Sequence, residues 1–475
     1  MPLYDYDLAI IGGGSAGLTA ARFARFFAKR VVLIDKDRLG GDCLNYGCVP
    51  SKALIKAARV AHEAATAQRW GLRPQSLLRS LATVNARVRQ AVNDVGKLDD
   101  EQVLGELGVD VLLGGATFRD PHTLRVRGRD LTAKFVLIAT GSRPAVPAID
   151  GLREVGYLTN EDVFDLSQLP QRLAVVGGGP IGVELAQAFH RLGSQVTVLQ
   201  RGPHLIPRDD ADMIELLERQ FAAEGITVRL GTQPRAAHRA GQDVVLRLDG
   251  GEELPVDAIL CAAGRVPNVD SLGLDAASVN ATRQGIAVNA RLQTSQPHIY
   301  AVGDVTGGPA FTHYAGYQAA HAVRNIFVPL KARFSPGQLP WVTFTDPEIA
   351  HVGQTEAEVR QAGQRCAVIR FPYQRSERAV TDAEPAGLMK FLVDGKRRLT
   401  GAHIAGQGAG ELINELTLAM NNRLTVDAIL SSIHAYPTYS FAIPIALYDY
   451  AVTQNPTRMA RLGRWLSQLS ERIVS

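Results

Sequence analysis

The polarity pattern of the first 35 residues predicts strand, turn, helix and strand in succession. Leu8-Ala9-Ile10-Ile11 is a short run without polar interruption, the pattern of a parallel strand buried on both faces. Gly12, Gly14 and Gly17 follow in GxGxxG spacing and open an alanine-rich helical stretch. Val31-Val32-Leu33-Ile34 is the next apolar run, and Asp35 ends it. This arrangement suits a dinucleotide: the glycines allow a tight turn and close backbone approach, and the helix N-terminus faces the pyrophosphate. A GxGxxG alone is a weak signal, but here the flanking strands, helix and acid accompany it.

The same pattern recurs. Leu173-Ala174-Val175-Val176 runs into Gly177, Gly179 and Gly182, then a helical stretch to Leu192, then Val196-Thr197-Val198-Leu199. The interval from first glycine to strand end is equal in the two copies, Gly12 to Asp35 and Gly177 to Gln200. Two dinucleotide sites are therefore expected. Asp35 can accept hydrogen bonds from an unmodified ribose. Gln200 and Arg201, with Arg208 further on, suit a ribose bearing a 2′-phosphate, so NADPH is expected there over NADH.

Composition narrows the class. A chain of 475 residues exceeds one ordinary core, so two or three domains are expected. With 46% hydrophobic and 21% charged residues it reads as globular, and a net charge of +4 leaves no nucleic-acid footprint. The N-terminus shows neither a signal-peptide nor a membrane-span pattern. Only four cysteines occur, Cys43, Cys48, Cys261 and Cys366, which excludes a disulfide framework and makes the cytoplasm the expected address.

Two of the four stand close together in Gly40-Gly41-Asp42-Cys43-Leu44-Asn45-Tyr46-Gly47-Cys48-Val49-Pro50-Ser51-Lys52. In a regular helix, Cα atoms five residues apart are about 8.6 Å from each other, and a disulfide tolerates less than about 7 Å. A bridge requires the backbone between them to leave helix geometry. Gly47 offers that freedom, and Pro50 bars an undistorted helix through the segment. A thiolate beside a helix N-terminus would have a lowered pKa. Metal binding would want further Cys or His at short spacing, and none is present, so no metal site is expected. The preferred reading is a redox-active pair.

This motif resembles the active-site signature of the class I pyridine nucleotide–disulfide oxidoreductases, which include dihydrolipoamide dehydrogenase, glutathione reductase and mercuric reductase. The resemblance covers nearly the whole chain. Val136–Gly141, with Thr140 and Gly141, is similar to the family's second FAD strand. Gly264-Arg265-Val266-Pro267-Asn268 is similar to the motif closing the nicotinamide domain. Ile299–Asp304 resembles the segment whose Asp binds the ribityl chain, here Asp304 after Gly303. Thr345–Ala350 resembles the entry to the dimerisation domain.

The resemblance implies an α/β fold with two Rossmann-like domains, for FAD and NAD(P), the second inserted in the first, and a C-terminal α+β dimerisation domain. The divisions expected are residues 1–150, 151–272, 273–338 and 339–475. It implies FAD, a homodimer with an active site shared between subunits, and a small-molecule electron acceptor. Cys48 would be the flavin-facing, charge-transfer thiol and Cys43 the interchange thiol. Lys52 would lie near the flavin and pair with Glu184; Gly41 joins the cofactor set.

One departure matters. Disulfide-reducing members usually carry His-x-His-Pro-Thr-x-x-Glu, whose second His, held by the Glu, is the acid–base partner of the interchange thiol. Here the stretch is His434-Ala435-Tyr436-Pro437-Thr438-Tyr439-Ser440-Phe441. Tyr436 takes the base's place and Phe441 that of the Glu; a phenol with an ordinary pKa near 10 is a poor base at neutral pH. Mercuric reductases resemble this chain in that Tyr, but usually carry a C-terminal cysteine pair, and here no Cys follows Cys366. Cys261 and Cys366 read as packing residues.

The expected function is FAD-dependent NADPH oxidation with electrons leaving through Cys43–Cys48 to a disulfide, metal ion or other small acceptor. Two alternatives stand beside it: a flavin reductase or diaphorase that does not need the cysteines, and a non-catalytic flavin-containing binding module. At the C-terminus Leu462, Trp465, Leu466, Leu469 and Ile473 share a helical face among arginines, a pattern compatible with dimer packing or with a membrane surface.

Overall fold

The computed structural model describes residues 3–74, 80–241, 243–454, 463 and 465–467. The chain forms two compact units, Met1–Pro203 with Ile226–Pro336, and His204–Gly225 with Gly337–Ser475.

In the first unit, Tyr6–Ile11 lies between Val31–Asp35 and Arg129–Ile138, all parallel. Val109–Leu113 extends the sheet beyond Val31–Asp35, and Ile299–Ala301 adds alongside Arg129–Ile138. Leu8, Ala9 and Ile10 are wholly buried, which is why the strand shows no polar alternation. A second parallel sheet has the order Thr227–Leu230, Gln195–Gln200, Arg172–Val176, Ala258–Cys261. Its strands fall in sequence between Arg129–Ile138 and Ile299–Ala301 of the first sheet, so the second nucleotide-type fold is inserted in the first.

The two glycine turns are built alike. A Cβ on Gly17 would lie 1.8 Å from the Gly12 carbonyl oxygen, and one on Gly182 would lie 1.9 Å from that of Gly177. Only glycine lets each helix seat this closely on its strand. The helices that follow are Ser15–Ala24 and Pro180–Leu192.

The second unit centres on a five-stranded antiparallel sheet ordered Trp341–Thr343, Glu348–Gly353, Leu399–Gly406, Leu388–Asp394, Cys366–Pro372. Register places Trp341, His351, His403, Lys390 and Arg370 side by side in one row across all five strands. His351, His403 and Lys390 are buried. Acidic groups around the helix Ala211–Glu224 answer this row. Lys390 Nζ is 2.6 Å from Asp210, 2.7 Å from Glu356 and 3.1 Å from Asp212. Trp341 Nε1 donates to Asp209 at 3.0 Å. A buried ammonium needs such compensation, and here three carboxylates supply it. This helix belongs to the second unit although its sequence neighbours, Gln195–Gln200 and Thr227–Leu230, are strands of the first.

No helix among the described residues is long and apolar enough to cross a membrane. The amphipathic C-terminal pattern lies outside the described residues except at Gly463, which is helical, and at Trp465 and Leu466, which are helical and exposed.

Candidate active site

The sequence-predicted residues of the first unit gather where parallel strands end. Gly12, Asp35, Thr140 with Gly141, and Gly303 with Asp304 all lie at or just past carboxyl ends of one sheet. Gly177, Gln200, and Gly264 with Arg265 do so on the other. Open α/β sheets bind ligands at this edge. The strand-end residues make equivalent contacts: Asp35 Oδ2 accepts from the Gly13 amide at 2.7 Å, and Gln200 Oε1 from the Gly178 amide at 3.0 Å.

Each helix starts with donors unclaimed by a capping side chain. Gly14 and Gly179 are the N-caps, and neither helix has an acidic residue in its first turn. A Cβ on Gly179 would meet nothing within 4 Å, and one on Gly14 only the Gly41 Cα at 3.5 Å. These open helix starts fit the pyrophosphates of two dinucleotides. Thr140 and Gly141 are tied to the Gly264–Asn268 segment: Asn268 Nδ2 donates to the Thr140 carbonyl at 2.9 Å, and the Thr140 hydroxyl to the Asn268 carbonyl at 2.8 Å.

The cysteine segment leaves helix geometry between its thiols. The helix Gly41–Asn45 ends, Tyr46 (φ −139°, ψ −4°) and Gly47 (φ −120°, ψ −110°) break the spiral, and a new helix runs Cys48–Ala65. Pro50 stands in the first turn of that helix, where its missing N–H has no intrahelical acceptor to lose. Gly41 meets the dinucleotide turn, since a Cβ there would lie 2.6 Å from the Gly14 Cα. Cys43 is half-buried and Cys48 exposed, both as free thiols.

The pair shares one proton well below the ordinary thiol range. A hydrogen bond from the Cys48 thiol, joined by the hydroxyls of Thr312 and Ser15, outweighs burial and lowers Cys43 to about 6. Cys48 is correspondingly raised, because it donates that bond and is desolvated, although the Lys52 charge works the other way. The two titrate as a unit. Thr312, the first residue of the helix Thr312–Phe327, has its Oγ1 3.4 Å from Cys48 Sγ.

Lys52 lies one helical turn after Cys48, on the same face. Its Nζ is 2.7 Å from Oε2 of Glu184, whose side chain is only 7% exposed on the helix Pro180–Leu192. Spacing in the sequence had no means of finding Ser15, Ser142, Asn160 and Thr312, which fold around the predicted residues. Ser15 and Thr312 carry a signal only once their helices are known to start at the thiols. Asp42 had one: a charged side chain directly before a predicted redox cysteine.

In the second unit, Tyr436 is exposed and its ring meets Phe441 edge-on at 5.3 Å between centroids. His434 Nε2 lies 2.7 Å from Glu415 Oε1 and its Nδ1 lies 3.1 Å from the Ser432 carbonyl oxygen, so both ring nitrogens are engaged within this unit. Cys261 ends a buried strand, and burial pushes its thiol up to about 12. No group of three or more metal-ligating side chains occurs among the described residues.

Residues 6–319 match the family model described as pyridine nucleotide-disulphide oxidoreductase, and residues 339–446 match that family's dimerisation domain. A mercuric reductase of Staphylococcus aureus is 35% identical over 94% of this chain and 82% of its own length. A dihydrolipoyl dehydrogenase of Thermus scotoductus is 37% identical over 92% of this chain and 95% of its own. Among solved structures, the Cu(II) complex of the HOCl-induced flavoprotein disulfide reductase RclA from Escherichia coli aligns with a TM-score of 0.85. Identity there is 28%, covering 93% of this chain and 99% of that one. The chain belongs to the pyridine nucleotide-disulphide oxidoreductases, FAD-dependent enzymes that use a pyridine nucleotide.

Proposed function

We propose that this chain oxidises NADPH and delivers two electrons through Cys43–Cys48 to a thiophilic metal ion. The observation that carries the acceptor class is the Tyr436–Phe441 ring pair. Reducing a disulfide releases two thiolates that must be protonated, the task for which a His–Glu pair is suited. A metal ion takes up electrons and asks for no proton, so two aromatic rings in place of that pair are no handicap. His434, committed to Glu415 and Ser432, offers no substitute base. A Cu(II) complex of RclA and mercuric reductase among the relatives agree with this class.

Within the chain, Gly12, Gly14, Gly17, Asp35, Gly41, Thr140, Gly141, Gly303 and Asp304 would hold FAD. Gly177, Gly179, Gly182, Gln200, Arg201, Gly264 and Arg265 would hold the nicotinamide cofactor. Bound FAD supplies hydride acceptance and two-electron transfer to sulfur. Lys52, fixed by Glu184, sets an ammonium near Cys48 that partly offsets the rise of its thiol. Cys43, with Ser15 and Thr312 as donors, presents the sulfur that meets the acceptor. NADPH is preferred to NADH because the second strand ends in a neutral amide and exposed Arg201, where a carboxylate would repel a 2′-phosphate. The working form is a homodimer, with Tyr436 reaching the partner's thiols, and with so few cysteines its expected compartment is the cytoplasm.

The test is NADPH oxidation by the holoenzyme with Hg²⁺, Cu²⁺, lipoamide and oxidised glutathione as acceptors. At least 100-fold higher kcat/KM for a metal ion than for either disulfide is expected, with activity lost in Cys43→Ser. Disulfide turnover equal to that of the metals would overturn the acceptor class, and NADH preference the cofactor assignment.

A further inference from the structure

The turn between the two thiols is gripped by one side chain. Asp42, directly before Cys43, accepts through Oδ1 from Asn160 Nδ2 at 3.1 Å and pairs with Arg265 Nη2 at 3.2 Å. The same Asn160 nitrogen reaches the Tyr46 carbonyl at 3.1 Å, near the far end of the turn. The Asp42 carbonyl accepts from the Tyr46 amide at 2.8 Å. Gly47 packs so tightly here that a Cβ would lie 3.0 Å from the Asp42 carbonyl oxygen and 3.1 Å from its Oδ2. Asp42, the residue before Cys43, therefore packs against Gly47, the residue before Cys48.

Both partners are themselves fixed. Asn160 is buried, and the Arg265 side chain is 16% exposed. Arg265 donates to Ser142 Oγ at 2.7 Å and to the Ser142 carbonyl at 3.0 Å, and Ser142 Oγ donates to Asp304 Oδ2 at 2.6 Å. A continuous polar chain runs from Asp304, past Ser142 and Arg265, to the residue preceding Cys43.

We propose that Asp42, held by Asn160 and Arg265, is a positioning residue that keeps the Cys43–Cys48 turn closed and thereby sets the disulfide–dithiol equilibrium of the pair. The inference rests on reading these cysteines as a redox pair. Closing a short loop costs conformational entropy, and a clamp that holds the ends together raises the effective concentration of one thiol at the other. With the clamp in place the oxidised form gains; with it loosened the dithiol is favoured.

The experiment equilibrates the holoenzyme with dithiothreitol buffers of graded poise, traps free thiols with a maleimide, and weighs the tryptic peptide Leu39–Lys52. Asp42→Ala and Asn160→Ala are expected to shift the equilibrium about tenfold toward the dithiol, or about 30 mV for this two-electron couple. Asp42→Asn, which keeps an oxygen for Asn160 but offers Arg265 no charge, should fall between and serves if the alanine variants do not fold. Shifts under twofold in the folded variants, beside a wild type that does form the disulfide, would overturn the role of Asp42. A wild type that forms no Cys43–Cys48 bridge at any poise would overturn the redox reading beneath it.

Discussion

Lys52 Nζ stands 2.7 Å from Glu184 Oε2, joining the helix that begins at Cys48 to the helix that begins at the second glycine turn. Glu184 is buried and Lys52 about one-third exposed. Removing the lysine deprives a buried carboxylate of a counter-charge at 2.7 Å. Breaking a fully buried pair costs about 3–5 kcal/mol; with one partner in partial contact with water, about 2 kcal/mol is expected for Lys52→Met. Denaturant unfolding of the holoenzyme checks this. Glu184→Gln, which removes the buried charge itself, should cost less than Lys52→Met, and the reverse order would contradict this account.

The thiol pair makes a pH prediction. Hydrogen bonds from Cys48, Thr312 and Ser15 favour the thiolate at Cys43, lowering it to about 6. Iodoacetamide alkylation of the dithiothreitol-reduced protein should therefore rise through a midpoint near that pH and be nearly complete at neutrality. Thr312→Val removes one donor to a charged sulfur, an interaction of about 1.5 kcal/mol, so the midpoint should climb by about one pH unit. A midpoint above 8 in the wild type, the range of an unassisted thiol, would remove the basis for a preformed thiolate.

Much of this site could be read from the chain because its signals are local. A glycine turn needs its glycines within six residues, and a buried parallel strand shows as an unbroken apolar run. Lys390 illustrates the opposite case. It is flanked by apolar residues in Leu388-Met389-Lys390-Phe391-Leu392 and is 1% exposed, but nothing local names what neutralises it. Its carboxylate partner Asp210 lies 180 residues earlier in the sequence, before a helix that sequence order assigns to the nucleotide-type fold. Thr312 and Ser15 escape for the same reason. A hydroxyl beside a thiol is a product of tertiary packing and has no spacing rule.

The aromatic pair at Tyr436 and Phe441 offers a gain-of-function test. If disulfide turnover is limited by the missing acid–base group, Tyr436→His with Phe441→Glu should raise lipoamide reduction by about 100-fold, the low end of what a positioned acid–base group contributes. Tyr436→His alone should gain less, since nothing would orient the imidazole. Steady-state NADPH oxidation with lipoamide reads the difference. No gain in the folded double variant would mean that something other than proton transfer restricts the acceptor.

Asp209 carries a second pH dependence, this time in stability. Burial pushes its carboxyl up to about 7, and the adjacent Asp210 adds to the rise, while the hydrogen bond from Trp341 opposes it. Trp341 stacks on His351 at 3.6 Å, and burial with the neighbouring His403 drives His351 down to about 3, so neither ring supplies a compensating charge at neutral pH. A carboxyl raised from about 4 in the unfolded chain to about 7 in the fold binds more protons when folded. Its contribution is then fully present below the unfolded value and lost as pH rises through 7. Asp209→Asn mimics the protonated form and still offers Trp341 an oxygen. The wild type and this variant should melt alike near pH 4. They should diverge on the way to pH 8, where the variant is more stable by up to about 4 kcal/mol, three pH units at 1.36 kcal/mol each. Parallel melting curves at all pH values would mean that Asp209 is ionised in the fold throughout.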